Sequence, residues 1–318
     1  MPEEKPLAVV VGASRGLGLA VSNLRRRERE RKRKKASIET NEERKKLNLD
    51  LFLFQKNSQL ALALASKGYH VLATVRSASA APATPTGSEA LLTEKGVEVV
   101  TGIDVTKGKE EEKEKEESCE AKLKAALNDR PVSLAIFNAA VMSVEKDLIS
   151  GAGFDDEASL RQYQSNALGF LRAAAALVPA LVARASLSSS SSSSSETPPP
   201  KLVLISSKMA SLGRLSEAPG GGMYGYRASK AAANAIALSL SRDLLPKKVA
   251  VAMIHPGTVA TDMYREYHGG GGSKALVPSA GLSSPEAAAE AVLKVVEEKV
   301  GLESTGVFWN EAGEVLPY

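Results

Sequence analysis

The feature that most constrains this chain is a series of short apolar runs separated by helix-forming stretches. The runs cover residues 7–11, 70–75, 97–103, 133–137, 202–205 and 249–254, and each lies near Gly, Pro or polar residues. They are too short for ordinary helices and suit strands buried on both faces. Helical stretches follow at 61–67, 121–127, 160–184, 230–245 and 285–300. Parallel strands joined through helices cross over right-handedly, so the alternation predicts an α/β fold. It is a single doubly wound Rossmann domain with a mainly parallel, seven-stranded sheet, residues 306–309 supplying the seventh strand. At 318 residues and 43% hydrophobic content, one domain over 1–318 has ample material for its core.

Three stretches do not fit this rhythm and read as disordered insertions. Residues 23–59 carry 13 Lys+Arg against 6 Asp+Glu, so the net charge of +4 belongs to this segment and the remainder is acidic. Residues 107–118 are a charged Glu/Lys loop, and 186–200 a Ser/Pro-rich linker. Joining Val21 to Leu60 restores an amphipathic pattern, so a helix is expected to start near Gly16, break, and resume near Leu60. The basic segment could bind nucleic acid through phosphates. Its Glu28 and Glu30, and the lack of an adjacent aromatic platform, favour a solvated insertion instead. The single thiol, Cys119, excludes an internal disulfide scaffold. No apolar run approaches the roughly 20 residues of a membrane helix, and the start lacks a signal-peptide core, so a cytoplasmic protein is expected. No metal is expected: His70, His255 and His268 are scattered, and Cys119 sits in an acidic tract.

The first strand runs into Gly12, Gly16 and Gly18, with Ser14, Arg15 and Leu17 between them. Glycines at a first strand–helix junction let a pyrophosphate approach the backbone at a helix N-terminus. Their spacing, G-x-x-x-G-x-G, differs from the commoner dinucleotide fingerprint. At the end of the second strand an acidic residue would bind the ribose of NAD(H), but here Arg76 stands and no carboxylate occurs between Gly68 and Ser88. Arg76 and Arg15 can hold a 2′-phosphate, favouring NADP(H), unless both are merely solvated. Asp104 suits either the adenine amine or a helix N-cap.

Tyr226 and Lys230 stand four apart, on one face of a helix, and Ser207 ends a strand before them. A phenol is a poor proton shuttle at neutral pH unless a nearby ammonium lowers its pKa, the role expected of Lys230. Ser207 can orient a carbonyl oxygen. The bare pattern is common on helix surfaces; the glycine turn, the serine strand end and the Y-x-A-S-K context give it weight.

With these pieces the sequence resembles the classical short-chain dehydrogenase/reductase family, and within it the C-factor and sniffer-like carbonyl reductases. Residues 224–232, 255–263 and 305–318 carry the likeness. The resemblance implies NADP(H)-dependent hydride transfer on a small-molecule carbonyl or alcohol, with Ser207, Tyr226 and Lys230 catalytic. It implies that Asn166 helps hold a proton-relay water and that Asn138 lies beside the cofactor. Pro256, Gly257, Thr258 and Thr261 would touch the nicotinamide side, and 262–283 would form a substrate lid containing Tyr264, Tyr267 and His268. Helices 160–184 and 230–245 would supply a homodimer face. One departure is Ala140, where the family carries a glycine. A fold that senses NADPH without turnover is the rival reading, and the intact Ser207, Tyr226 and Lys230 speak against it.

Overall fold

The structure, a computed structural model, describes residues 5–13, 59–76, 87–108, 118–145, 148–150, 154–190, 197–217, 221–267 and 281–318. The interruption expected inside the first helix, at 23–58, and the glycine run 269–272 lie outside these residues, as do 109–117 and 191–196 of the other two insertions. Seven strands form one sheet: β1 Leu7–Val11, β2 His70–Thr74, β3 Glu98–Val100, β4 Leu134–Phe137, β5 Lys201–Ile205, β6 Ala250–Ile254 and β7 Phe308–Trp309. Their order is β3-β2-β1-β4-β5-β6-β7, and every neighbouring pair is parallel. The chain thus turns back between β1 and β4, and the crevice at that reversal is where such sheets bind ligands.

The helices among the described residues are α1 Gln59–Ser66, α2 Gly87–Glu94, α3 Cys119–Leu127, α4 Asp156–Tyr163, α5 Gly169–Ser190, α6 Leu212–Ser216, α7 Tyr224–Leu244, α8 Asp262–Tyr267 and α9 Pro285–Glu298. Strand residues alternate between two cores because successive side chains point to opposite faces. Leu7, Val9 and Val11 join α3, α5 and α7 on one face, where Phe137 packs against Phe170 with ring centroids 5.4 Å apart. Ala8 and Val10 join α1 and α9 on the other.

Three expectations need correction. No helix was expected between β2 and β3, yet α2 stands there with Leu92 fully buried. The Ser/Pro linker was expected from residue 186, but α5 continues through Ser190. Ser186 donates to the Val182 carbonyl and Ser188 to that of Arg184, so serines that compete with a helix elsewhere here follow its own hydrogen-bond direction. The expected single helix 160–184 is α4 and α5 joined by a π-helical turn, Gln164–Leu168. This run, Asp156–Ser188, has the length and apolar composition to cross a membrane, with half of its most apolar window buried in the fold. Its Phe170, Ala173, Leu177 and Leu181 pack on the sheet as a core helix does.

Candidate active site

The carboxyl edge of the sheet gathers the predicted residues. Gly12, just beyond β1, has φ of +81°, and a Cβ there would come within 2.6 Å of the Ala139 Cα. Only glycine fits that turn. The Gly12 N–H donates to Thr74 Oγ1 at 3.1 Å, and Asn138 Nδ2 donates to the Gly12 carbonyl at 3.1 Å. The ends of β1, β2 and β4 are thereby tied at the point of strand reversal. Ser14, Arg15, Gly16, Leu17 and Gly18 lie outside the described residues.

Arg76 follows β2, exposed, with its guanidinium 3.9 Å from Asp104 Oδ2. The other Asp104 oxygen accepts from the Thr106 amide (2.9 Å) and hydroxyl (2.7 Å), closing a local turn. The helix-capping alternative for Asp104 fails: Ser118 caps α3, accepting from the Ala121 amide. Among the described residues no carboxylate lies between Gly68 and Arg76. The donor set of this edge therefore suits a dinucleotide with a phosphate near Arg76.

Tyr226, Ser229, Lys230, Ala233 and Asn234 occupy the buried face of α7, as the spacing required. The Lys230 ammonium donates to the Ile205 carbonyl at the end of β5 (2.9 Å). Ser207 follows that strand and caps a 3-10 turn, accepting from the Met209 amide at 3.2 Å. Burial pushes the Tyr226 phenol up to about 12, with the Ser207 hydroxyl as the opposing influence. Burial also pushes the Lys230 ammonium down to about 8. The expectation that Lys230 depresses the phenol is therefore not met. Taking both groups out of water favours their neutral forms, and no influence of Lys230 on the phenol offsets it.

Asn166 lies in the π-helical turn and is fully buried. Its amide accepts from Val141 N (2.8 Å), donates to Val141 O (2.8 Å) and donates to Ser229 Oγ (2.9 Å). Ser229 in turn donates to the Tyr226 carbonyl. The extra residue of a π turn moves the following side chains around the helix, and such turns recur at functional sites.

Gly257, with φ of +81°, follows Pro256 after β6. The Thr258 carbonyl accepts from the Ser283 amide, and Thr261 Oγ1 accepts from the Tyr264 amide at the start of α8. His268 of the expected lid lies outside the described residues. His255 is buried and its Nδ1 has no hydrogen-bond partner among the described residues; burial, then Lys208 and Arg214, push its imidazolium down to about 4.

Several residues escaped the sequence reading. Met142, Met223 and Tyr226 form a separate buried cluster, with Met209 and Met263 packed against it. The Tyr226 hydroxyl lies 4.0 Å from Met263 Sδ. Tyr224, the other phenol of the motif, points elsewhere and accepts from the Leu148 amide. Glu145 reaches the start of α7 and accepts from the Gly225 amide at 2.8 Å. The one sequence signal for that contact is the glycine between two tyrosines.

The short chain dehydrogenase family profile matches residues 58–270. The 1-hydroxy-2-glutathionyl-2-methyl-3-butene dehydrogenase of Rhodococcus sp. (strain AD45) is 32% identical over 71% of this chain and 83% of its own length. The C-signal protein of Myxococcus xanthus is 32% identical over 59% of this chain and 93% of its own. Among solved structures, the carbonyl reductase Sniffer of D. melanogaster superposes with a TM-score of 0.63 at 20% identity, over 99% of this chain and all of that one. An NADPH-bound carbonyl reductase from chicken fatty liver gives 0.64 at 20% identity, over 99% and 94%. Its sequence, its strand order and the residues gathered at the carboxyl edge place this chain in the short-chain dehydrogenase/reductase family of oxidoreductases.

Proposed function

We propose that the protein is an NADP(H)-dependent carbonyl reductase that uses Tyr226 as general acid/base. The observation that carries this reading is the Tyr226–Lys230 pair, buried on one face of α7 and facing the end of β5 and Ser207. Gly12, Arg76, Asp104, Asn138, Lys230, Pro256, Gly257, Thr258 and Thr261 would hold the coenzyme, together with 14–18 from the same turn. Arg76, in place of a carboxylate, supports NADP(H) over NAD(H). The bound coenzyme supplies the hydride.

The chain's own residues do the rest. The Ser207 hydroxyl donates to the substrate oxygen and orients the carbonyl. Tyr226 donates the proton that this oxygen takes up as the carbon is reduced. Pushed up to about 12 by burial, the phenol carries its proton at neutral pH and can give it up to the more basic alkoxide that develops on the substrate. Lys230, tied to the Ile205 carbonyl, fixes that end of α7 against β5, and its remaining N–H bonds would hold the coenzyme ribose. Met263 and Met209 border the phenol, so substituents on the carbonyl carbon meet flexible apolar surface. A small apolar aldehyde or ketone fits that wall. The exposed Leu160, Tyr163 and Leu171 on α4 and α5 are compatible with the homodimer.

Tyr226→Phe tests the reading. Turnover of an apolar aldehyde, followed by loss of NADPH absorbance at saturating substrate, is expected to fall about 10²–10⁴-fold. NADPH affinity by fluorescence titration should stay within about threefold. Undiminished turnover would remove Tyr226 from the chemistry.

A further inference from the structure

The start of α7 carries the proposed proton donor, yet it lacks a cap of its own. Its N-cap position is Met223, in the left-handed region (φ 56°, ψ 36°), with no side-chain capping hydrogen bond. The first amides of a helix have no partner inside it, and a buried start without a cap is destabilising. The missing acceptor comes from far along the chain. Glu145, on the loop after β4, accepts from the Gly225 amide through Oε2 at 2.8 Å, across 80 residues.

The carboxylate is itself held. Its Oε1 accepts from Ser159 Oγ at 3.0 Å and from Gln162 Nε2 at 3.3 Å, both on α4. Gln162 is fully buried, and its carbonyl oxygen accepts from the Ser143 amide at 2.9 Å, fixing the loop two residues before Glu145. Gly225 completes the fit. A Cβ there would come within 2.5 Å of Ser159 Oγ, 2.7 Å of Glu145 Oε1 and 2.8 Å of Gln162 Nε2. A negative charge at a helix start also suits the macrodipole.

We infer that Glu145 is a positioning residue for Tyr226: it caps α7 from outside and fixes where the phenol stands. The inference rests on the proposed role of Tyr226. Gly225 immediately precedes Tyr226, so a helix start that frays or slides moves the phenol first. One turn further on, the Asn166–Ser229 hydrogen bond ties the same helix to the π turn. The Glu145 contact and the Asn166 contact therefore bracket Tyr226. Displacement of a reacting group by about 1 Å can lower a rate about 10²-fold.

The test compares Glu145→Ala, Glu145→Gln and Tyr226→Phe with the unaltered chain. For Glu145→Ala we expect kcat to fall about 10- to 100-fold, with the KM for the aldehyde and the Kd for NADPH each within about threefold. Amide exchange at Gly225 should quicken in the same variant. Glu145→Gln keeps one oxygen for the Gly225 amide, so kcat should recover to within about fivefold of the unaltered chain. If Glu145→Ala does not fold, Glu145→Asp takes its place: it keeps the charge but withdraws it by one methylene, and the same selective loss of kcat is expected. A kcat unchanged without the Gly225 contact, equal losses in the Gln and Ala variants, or a loss carried wholly by KM or NADPH affinity would overturn the inference. Tyr226→Phe separates the two claims. Residual full turnover there counts against Tyr226 as donor, whereas an inactive Phe variant beside an undiminished Glu145→Ala counts against Glu145 alone.

Discussion

The two halves of the sheet's carboxyl edge are held by different means. On the side proposed for catalysis, three groups are tied to distant elements: Lys230 to the end of β5, Asn166 to Val141 and Ser229, and the start of α7 to Glu145, while Ser207 caps a local turn. On the side of β2 and β3, Asp104 closes a turn with Thr106 two residues on, and Arg76 is exposed beside it. The contrast fits the roles proposed for the two sides. Proton transfer needs atoms fixed to within a fraction of an ångström, while a phosphate attracted by a guanidinium tolerates a mobile side chain. Disturbance should therefore strike turnover on the first side and coenzyme preference on the second.

The sharpest challenge to this contrast is Lys230→Met, which keeps the length and apolar stem but removes the ammonium. Turnover should drop at least about 100-fold, as read by NADPH oxidation. A mere change in coenzyme affinity would dissolve the distinction. Next comes Asn166→Ala, which leaves the amide and carbonyl of Val141 without their partner. Each unsatisfied buried group costs about 1–3 kcal/mol, so the melting temperature should fall by several degrees along with kcat. On the other side, Arg76→Ala should raise the KM for NADPH about 5- to 20-fold while leaving that for NADH and the kcat nearly unchanged. Equal effects on both coenzymes would take the 2′-phosphate away from Arg76.

The smallest effect concerns pH. His255 has its folded pKa depressed to about 4 from an ordinary 6.5 by burial and by Lys208 and Arg214. Between those values the unfolded chain binds more protons. The stability His255 contributes is thus complete above about 6.5 and is lost as pH falls toward 4. Thermal melts of His255→Gln should show a shallower loss over that window. An identical slope would place the acid sensitivity elsewhere.

What was legible in the sequence was local. The six apolar runs gave strands with ends correct to within a few residues, because β-branched composition and nearby turn residues act over short distances. Self-supplied caps act over the same short range, although the sequence reading did not name them: Ser284 accepts from the Ala287 amide and Ser118 from the Ala121 amide, three residues on in each case. The α7 start could not be read this way, since its acceptor is 80 residues distant and Met223 gives no hint of it. The π turn was hidden for a related reason. Its signature is a shift in hydrogen bonding, and Gln164–Leu168 has no composition that sets it apart from a plain helix. The phenol of Tyr226 shows a further limit. Spacing put Lys230 on the same buried helix face as the phenol, but the pKa of each group depends on burial, and that is decided by the whole fold.

The all-parallel order of the sheet has a kinetic consequence. Gly12 meets Thr74 across 62 residues and Asn138 across 126, so the central strand has no neighbour it can find by a tight hairpin. Long loops must close before the first sheet hydrogen bond forms, and the entropy of closure comes due before any of the contacts reward it. Recovery from denaturant should accordingly be slow, and the apolar strands stay open to neighbouring chains while they wait. In a crowded producing cell, yield would then be governed by how long the nascent chain is shielded, more than by the stability it finally attains.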